Sequence, residues 1–468
     1  MAYVEDTIAA IATARGPGAV AIVRVSGPLA LDLAARLCRG EDGRAPDLSD
    51  SHRARLARLR DDSGRIVDDV ILLPMRGPRS YTGEDVVEFQ CHGGDLVPRL
   101  VLACLLRAGA REARPGEFTL RAFLNGRMDL CQAEAVADLV SASSEPALEV
   151  ARGQFEGRLS GTLSELRDGL VDLRALVEAH LDFPEDDLPP ETSAEIATTM
   201  ARSLGRIREL LSGFDRARLF REGARAVLLG KPNVGKSSLL NALLGRDRAI
   251  VSPEPGTTRD YLEEPVAIGS PGLRLLLVDT AGLREAAGEI ERTGIERTRE
   301  IARSGDVVVA VIDASEARDA DDDRAVLEAV RGLGSLGVPC VVAANKVDLV
   351  DRDVDVVATA RRDFRDIPVV RVSARTGEGV PDLCSALEEA LAAHGERPGT
   401  SKPIVSQERH RSALQRAEEA LHGISPDDDL EIVAQALQAC VMELEGLLGE
   451  STSEEVLDRV FERFCIGK

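Results

Sequence analysis

At 468 residues the chain has room for two to four domains at roughly 150 residues each. Trp is absent, aromatics make up 3% and hydrophobic residues 44%, so the cores must be built from Leu, Val, Ile and Ala. A formal charge of −22 argues against a protein that grips nucleic acid by broad phosphate neutralisation, which takes a basic surface; contact with RNA is expected to be local, transient or shared with a partner, and the acidity to serve solubility.

No apolar run approaches the roughly 18 residues of a membrane span. The start, Met1-Ala2-Tyr3-Val4-Glu5-Asp6, has no basic segment leading into an apolar stretch. A cytoplasmic protein with no membrane role is expected. The eight cysteines are scattered singly and suit reduced thiols rather than a disulfide frame.

Residues 1–122 mix short strand-like runs with Gly and Pro turns. Ala19–Val25 and Val67–Leu73 are rich in apolar and β-branched residues, with one helical stretch at Leu96–Ala108 among them, the pattern of an α+β domain. Over 123–222 the period becomes helical. Leu159, Leu163, Leu166, Leu170, Leu173, Val177 and Leu181 recur every three or four residues and make one stripe. The acidic, Pro-containing segment Phe183–Pro190 ends that helix, and Met200, Leu204, Ile207, Leu211 and Phe214 resume the stripe. Strands and helices alternate through 223–392. Helical texture returns over 393–468, with Leu430, Val433, Leu437, Cys440, Val441, Leu444 and Leu447, then Val456, Leu457, Val460, Phe461 and Phe464. Two one-sided helical segments therefore flank an α/β segment, and each has a stripe to bury. The economical arrangement is a discontinuous all-α domain that packs on itself and carries the α/β domain as an insert.

The insert carries the chemistry. Ala226–Leu229 has a buried-strand pattern and runs into Gly230-Lys231-Pro232-Asn233-Val234-Gly235-Lys236-Ser237, a match to G-x-x-x-x-G-K-[ST] ahead of an apolar helix. Backbone amides in such a loop turn inward on phosphates. Lys236 would neutralise the β and γ oxygens, and Ser237 would offer a hydroxyl to Mg²⁺. Leu276-Leu277-Val278-Asp279-Thr280-Ala281-Gly282 is a strand ending in D-x-x-G, where Asp279 holds Mg²⁺ through water and Gly282 senses the γ-phosphate. Val341–Ala344 leads into Asn345-Lys346-Val347-Asp348, N-K-x-D. A carboxylate there accepts from guanine N1–H and N2–H₂ together, a donor pair adenine lacks, while the Lys346 stem covers the ring. Ser373-Ala374-Arg375 suits the loop that closes on guanine O6. Between the first two motifs, Ser252–Asp260 reads as a switch loop in which Thr258 is the second Mg²⁺ hydroxyl.

GTP contacts are thus expected at Asn233, Val234, Gly235, Lys236, Ser237 and Ser238; at Ser252, Pro253, Glu254, Pro255, Gly256 and Thr257; at Asp279, Thr280, Ala281 and Gly282; and at Asn345, Lys346, Asp348, Ser373, Ala374 and Arg375. The position after D-x-x-G, often a water-orienting Gln, is Leu283. Water must be placed from elsewhere, and Glu285, Glu289 and Glu291 follow closely, with Arg284 beside them.

With these motifs the chain resembles the MnmE (TrmE) family of tRNA modification GTPases. Outside the nucleotide motifs the resemblance is carried by Tyr81-Thr82-Gly83-Glu84-Asp85, His92-Gly93-Gly94, Arg114-Pro115-Gly116-Glu117-Phe118, Arg121–Arg127 and the terminal Phe464-Cys465-Ile466-Gly467-Lys468. It implies a folate-binding-like N-terminal domain that forms a homodimer and holds a tetrahydrofolate derivative, 5-formyl or 5,10-methylene, through Arg24, Glu88, Arg127 and Lys468. It implies an FAD-containing partner of the MnmG (GidA) kind and action on the wobble uridine of tRNA, which gains a 5-aminomethyl or 5-carboxymethylaminomethyl group. It also implies hydrolysis stimulated by K⁺, held by Asn233, Ser252, Glu254 and Thr257, with Glu291 as the catalytic carboxylate. Ser252 and Arg127 stand where family members usually have Thr and Lys; hydroxyl and charge are kept. Cys465 has two readings, a reactive thiol by the folate site or a packed residue. The alternative function is an Era/Der-like ribosome-assembly GTPase acting as a binding switch, a class that brings a basic RNA-binding domain after its nucleotide domain.

Overall fold

The computed structural model describes residues 6–14, 16–142, 144–182, 190–245, 263–268, 273–279, 305–315, 328, 330–333, 338–350, 364, 367–392, 403–425 and 428–468. The strands are β1 (Ile8–Ile11), β2 (Val20–Ser26), β3 (Cys38–Arg39), β4 (Arg55–Arg60), β5 (Ile66–Met75), β6 (Val86–His92), β7 (Arg111–Glu112), β8 (Ala224–Leu229), β9 (Glu263–Ile268), β10 (Leu273–Asp279), β11 (Val307–Asp313), β12 (Cys340–Asn345) and β13 (Val369–Arg371). Helices α1 to α7 are Ala30–Leu37, Leu96–Arg107, Glu117–Leu124, Leu130–Ser141, Glu145–Phe155, Arg158–Asp182 and Pro190–Ser212. Helices α8 to α13 are Phe214–Glu222, Lys236–Leu244, Val380–Ala392, Glu408–Leu421, Leu430–Leu448 and Glu454–Phe461. Among the described residues no helix is long and apolar enough to cross a membrane.

The chain divides into two compact units: Met1–Val140, Gln154–Arg208 and Ser412–Lys468 in one, Ser141–Gly153 and Glu209–Arg411 in the other. In the first, seven strands form a sheet in the order β3-β4-β5-β6-β2-β1-β7. The period of two along a strand sends Val23, Phe89, Leu72 and Leu59 to one face, where they bury with Leu33 of α1 and Val101 and Leu105 of α2. The opposite face keeps Arg24 and Glu88 half-buried. The helix expected at Leu96–Ala108 is present and ends at Arg107. Helix α1 is an eight-residue helix that the periodicity did not reveal.

Helix α6 buries Leu159, Leu163, Leu166, Leu170, Leu173 and Val177, the stripe read from the sequence, with Leu181 left half-buried. It packs on α12, which buries Val433, Leu437, Cys440, Val441, Leu444 and Leu447. The two stripes, separated by more than two hundred residues of chain, cover one another. In α7 the buried positions include Met200, Ser203, Ile207 and Leu210. The face thus passes through a serine, and Leu211, expected to be buried, is half-exposed. The acidic turn at Phe183–Pro190 lies almost wholly outside the described residues.

The chain end belongs to the N-terminal sheet. Ile466 forms a bridge with Pro115, and the Phe118 amide donates to the Lys468 oxygen at 3.2 Å. Gly467 has φ +98°, and a Cβ there would meet the Ile11 carbonyl. Only glycine satisfies both demands.

In the second unit, six strands run in the order β13-β12-β11-β8-β10-β9. All neighbours are parallel except β9 against β10. Both faces are covered: Ala226, Leu228, Val309 and Val341 bury on one side with Leu239 of α9 and Leu383 of α10, and Val227, Leu229, Val308 and Val342 on the other. Such strands read as continuous apolar runs because neither face meets water.

Candidate nucleotide site and its neighbours

Strand β8 has β10 on one side and β11 on the other. The order of connection reverses there, and in open parallel sheets that point leaves a crevice beyond the carboxyl ends of the strands. The loop Gly230–Gly235 leaves β8 into that crevice. Asn233 has φ +66° and Gly235 φ +95°, so the chain curls and its amides converge ahead of α9. Gly235 is required twice, by its positive φ and because a Cβ would meet the Asn345 amide. Lys236 is buried and its Nζ donates to the carbonyls of Gly230 at 3.0 Å and Lys231 at 2.7 Å. Val234 is buried; Ser237 and Ser238 face outward on the first turn of α9.

Three loops meet through one side chain. Asn345, 1% exposed, donates from Nδ2 to the Val234 carbonyl at 2.8 Å and accepts at Oδ1 from the Ala374 amide at 3.0 Å. It fastens the phosphate loop, the end of β12 and the loop after β13 together. Lys346 follows in the left-handed region at φ +65°, and its Nζ lies 2.5 Å from Asp313 Oδ2. Asp348 sits in a 3-10 turn at Val347–Leu349. Its Oδ1 accepts from Ser373 Oγ at 2.7 Å, and Arg375 Nε stands 3.1 Å from its Oδ2. A cavity of about 580 Å³ opens beside these groups, lined by Gly235, Ser238, Asn345, Lys346, Asp348, Ala374 and Arg375. Asn241 and Leu349 line it too; neither belongs to a motif, so sequence reasoning passed them over.

Asp279 ends β10 in register with Leu228, which brings its backbone to the same crevice. Ser252, Pro253, Glu254, Pro255, Gly256, Thr257, Thr258, Thr280, Ala281, Gly282 and Glu291 lie outside the described residues.

A second cluster sits on the N-terminal sheet. Arg24 and Glu88 are cross-strand partners of β2 and β6, the geometry in which opposite charges meet. Arg24 donates from Nε at 3.0 Å and Nη2 at 2.9 Å to Glu88 Oε1. Its guanidinium lies over the rings of Tyr81 and Phe118, 5.3 and 5.6 Å from their centroids. Tyr81 Oη is 2.8 Å from Thr119 Oγ1. Lys468 reaches the same place through its bond to the Phe118 amide. Arg127 is exposed, and its Cγ would lie 3.5 Å from a Cβ built on Gly83, two residues beyond Tyr81. Arg24, Glu88 and Lys468 are thereby gathered around Phe118, with Arg127 at the neighbouring turn.

Beneath this cluster, Arg121 is 3% exposed and meets three carboxylates, Asp6 at 2.5 Å, Glu84 at 3.1 Å and Glu117 at 3.2 Å. Arg111 pairs with Asp6 and Glu117. These ions tie together the motifs Tyr81–Asp85, Arg114–Phe118 and Arg121–Arg127, whose cooperation the sequence did not disclose.

Comparison with known proteins agrees with the motifs. Residues 7–127 match the family model described as the GTP-binding protein TrmE N-terminus, and residues 130–465 the MnmE helical domain. A Symbiobacterium thermophilum protein named tRNA modification GTPase MnmE is 43% identical, covering 99% of this chain and 100% of its own. Proteins of the same name from Geobacter sulfurreducens and Heliobacterium modesticaldum are 44% and 41% identical, the first covering 100% of both chains and the second 99% of this one and 100% of its own. An Aquifex aeolicus Era variant solved with GDP and AlF4⁻ is 23% identical over 42% of this chain and 66% of its own, with a TM-score of 0.29, too slight a likeness to bear on function. Family models over most of the chain and full-length relatives above 40% identity lead to one conclusion: the chain belongs to the MnmE family of tRNA modification GTPases.

Proposed function

We propose that this GTPase binds and hydrolyses GTP in the crevice between β8, β10 and β12, and that its cycle serves modification of the tRNA wobble uridine together with an FAD-containing partner of the MnmG kind. The observation that carries the nucleotide reading is the frame around the cavity: Asn345 locks the phosphate loop to the base loops, and Asp348 is aimed by Ser373. A carboxylate fixed in that way accepts from guanine N1–H and N2–H₂ in one plane. Lys236 takes the β and γ oxygens, and Ser237, outward on the first turn of α9, suits Mg²⁺. Bound there, Mg²⁺ offsets charge on the transferring phosphoryl group.

Leu283 supplies no water-orienting group; the family resemblance assigns that task to Glu291, and the oxygens of Asn233, Ser252, Glu254 and Thr257 to K⁺. The N-terminal cluster is assigned to a reduced folate. Among the described residues Arg24 donates to Glu88 Oε1 alone, which leaves Oε2 to accept from a ligand. The Tyr81 and Phe118 rings border the place, and the exposed Arg127 suits an anionic group. The protein is proposed to act as a cytoplasmic homodimer.

The decisive experiment is nucleoside analysis of tRNA from a strain lacking this chain. Loss of the 5-substituted wobble uridine, restored by the wild type and not by Lys236→Ala, is expected. Unaltered tRNA accompanied by a ribosome-assembly defect would favour the Era/Der-like switch instead. The helical segment Leu430–Phe461, in place of a basic domain, favours the first outcome.

A further inference from the structure

Asp313 is the last residue of β11, paired in register with Asn345 of β12. Its side chain is 5% exposed, and its two oxygens have separate partners. Oδ1 accepts from the Ser315 amide at 2.9 Å and Ser315 Oγ at 2.6 Å. Oδ2 faces the Lys346 ammonium at 2.5 Å. Burial alone would raise the pKa of this carboxyl, but the bonds from Lys346 and Ser315 outweigh it and hold it below the usual range, so the group stays ionised. No sequence motif pointed to this residue, and joining β11 to β12 does not require it: backbone bonds, among them Ala314 N–H to the Asn345 carbonyl at 2.8 Å, already do that.

Lys346 has a long, flexible stem whose freedom would ordinarily be lost when a ligand packs against it. Here it is fixed at both ends, by the left-handed backbone at φ +65° and by Asp313 at the ammonium. Fixing a contact group before the ligand arrives removes an ordering cost from the binding step. We propose that Asp313 is a positioning residue for guanine recognition: it anchors the Lys346 ammonium so that the lysine stem is held as a preformed wall of the base cavity. The inference rests on the nucleotide reading given above.

The test uses the full-length protein and stopped-flow dissociation of a fluorescent GDP analogue. Asp313→Asn is expected to speed release by roughly tenfold or more, the size of one lost charge-assisted hydrogen bond. The discriminating readout is the double-mutant cycle with Lys346→Ala. In that background Asp313→Asn should add nothing, because its only route to the base has gone. An equal additional loss would mean that Asp313 acts through general folding, and would overturn the proposal. Lys346→Met keeps the stem and removes the ammonium, so it too should release the analogue faster; release at the wild-type rate would overturn the proposal whether or not Asp313→Asn folds. A wild-type chain that binds no guanine nucleotide would sink the nucleotide reading and this inference together, whereas tight wild-type binding with an unchanged Asp313→Asn sinks this inference alone.

Discussion

Ser373 Oγ donates to Asp348 Oδ1 across 2.7 Å and, with Arg375 Nε 3.1 Å from Oδ2, orients the carboxylate proposed to distinguish guanine from adenine. Asp348→Asn is therefore expected to weaken GTP and favour xanthosine triphosphate, whose O2 accepts from the new amide where guanine's amine donated. Competition binding measures it. A variant that still prefers GTP tenfold, about 1.4 kcal/mol, would remove Asp348 from base recognition.

Hydrolysis is expected to need K⁺ and Glu291. Phosphoryl transfer depends on positioning and electrostatic stabilisation, and Leu283 contributes to neither. Replacing K⁺ with Na⁺ should lower kcat strongly with little change in nucleotide affinity. Glu291→Ala should bind GTP normally and lose about 10²-fold in kcat, the low end for a missing general base. Near-normal turnover would turn attention to Glu285 and Glu289; equal rates in Na⁺ and K⁺ would exclude a K⁺-selective site.

Calorimetric titration with 5-formyltetrahydrofolate is expected to show saturable binding, weaker in Arg127→Ala. Arg127 is the better probe than Arg24 because it is exposed, whereas Arg24 also pairs with Glu88 and lies over two rings. No heat with the wild type would dismiss the folate assignment.

The ionic network under the N-terminal sheet sets an acid limit on stability. The hydrogen bond from Arg111 lowers the Asp6 pKa below its ordinary 3.8. Burial works to raise Glu117, but Arg111 and the Arg114 amide overcome it and bring the group below 4.5. Carboxyls whose pKa is lower in the folded state stabilise it above their unfolded values, and lose that contribution as pH falls through the folded ones. Melting temperature should thus hold down to about pH 5 and drop as acid is added beyond it. Arg111→Gln should flatten that drop. An acid limb identical to the wild type's would show that the network does not carry it.

Thiol labelling should single out the tail. Cys465 is exposed, while Cys38, Cys91, Cys104, Cys131, Cys340 and Cys440 are buried. Burial pushes the thiols of Cys38 and Cys440 up to about 12, which suppresses the reactive thiolate. Iodoacetamide on the native chain should modify Cys465 first and Cys384, of intermediate exposure, next. Peptide mapping that finds a buried cysteine modified first would contradict this.

Parts of the molecule whose physics is local were legible in the residues alone. Gly230–Ser237 makes a phosphate loop because its glycines and following apolar helix permit little else there. Leu159–Val177 makes a one-sided helix because its leucines follow the turn of the helix. Asn345–Asp348 reads as a base-reading loop through the donor and acceptor chemistry of Asn345, Lys346 and Asp348. Tertiary structure decided what depends on pairing across long stretches of chain. Strand register alone sets Glu88 opposite Arg24, and only the folded sheet stacks that arginine on Tyr81 and Phe118. Helix α1 repeats its period for only two turns, at Ala30, Leu33, Ala34 and Leu37, and is easily passed over among the strand-like runs around it, while α7 buries Ser203 in a face otherwise apolar. Asp313 closes an apolar run at the same sheet edge as Asn345, a signal visible in the sequence. Its partner became known only when β11 and β12 were laid side by side, because an ion pair is a property of two positions in space and the chain specifies them separately.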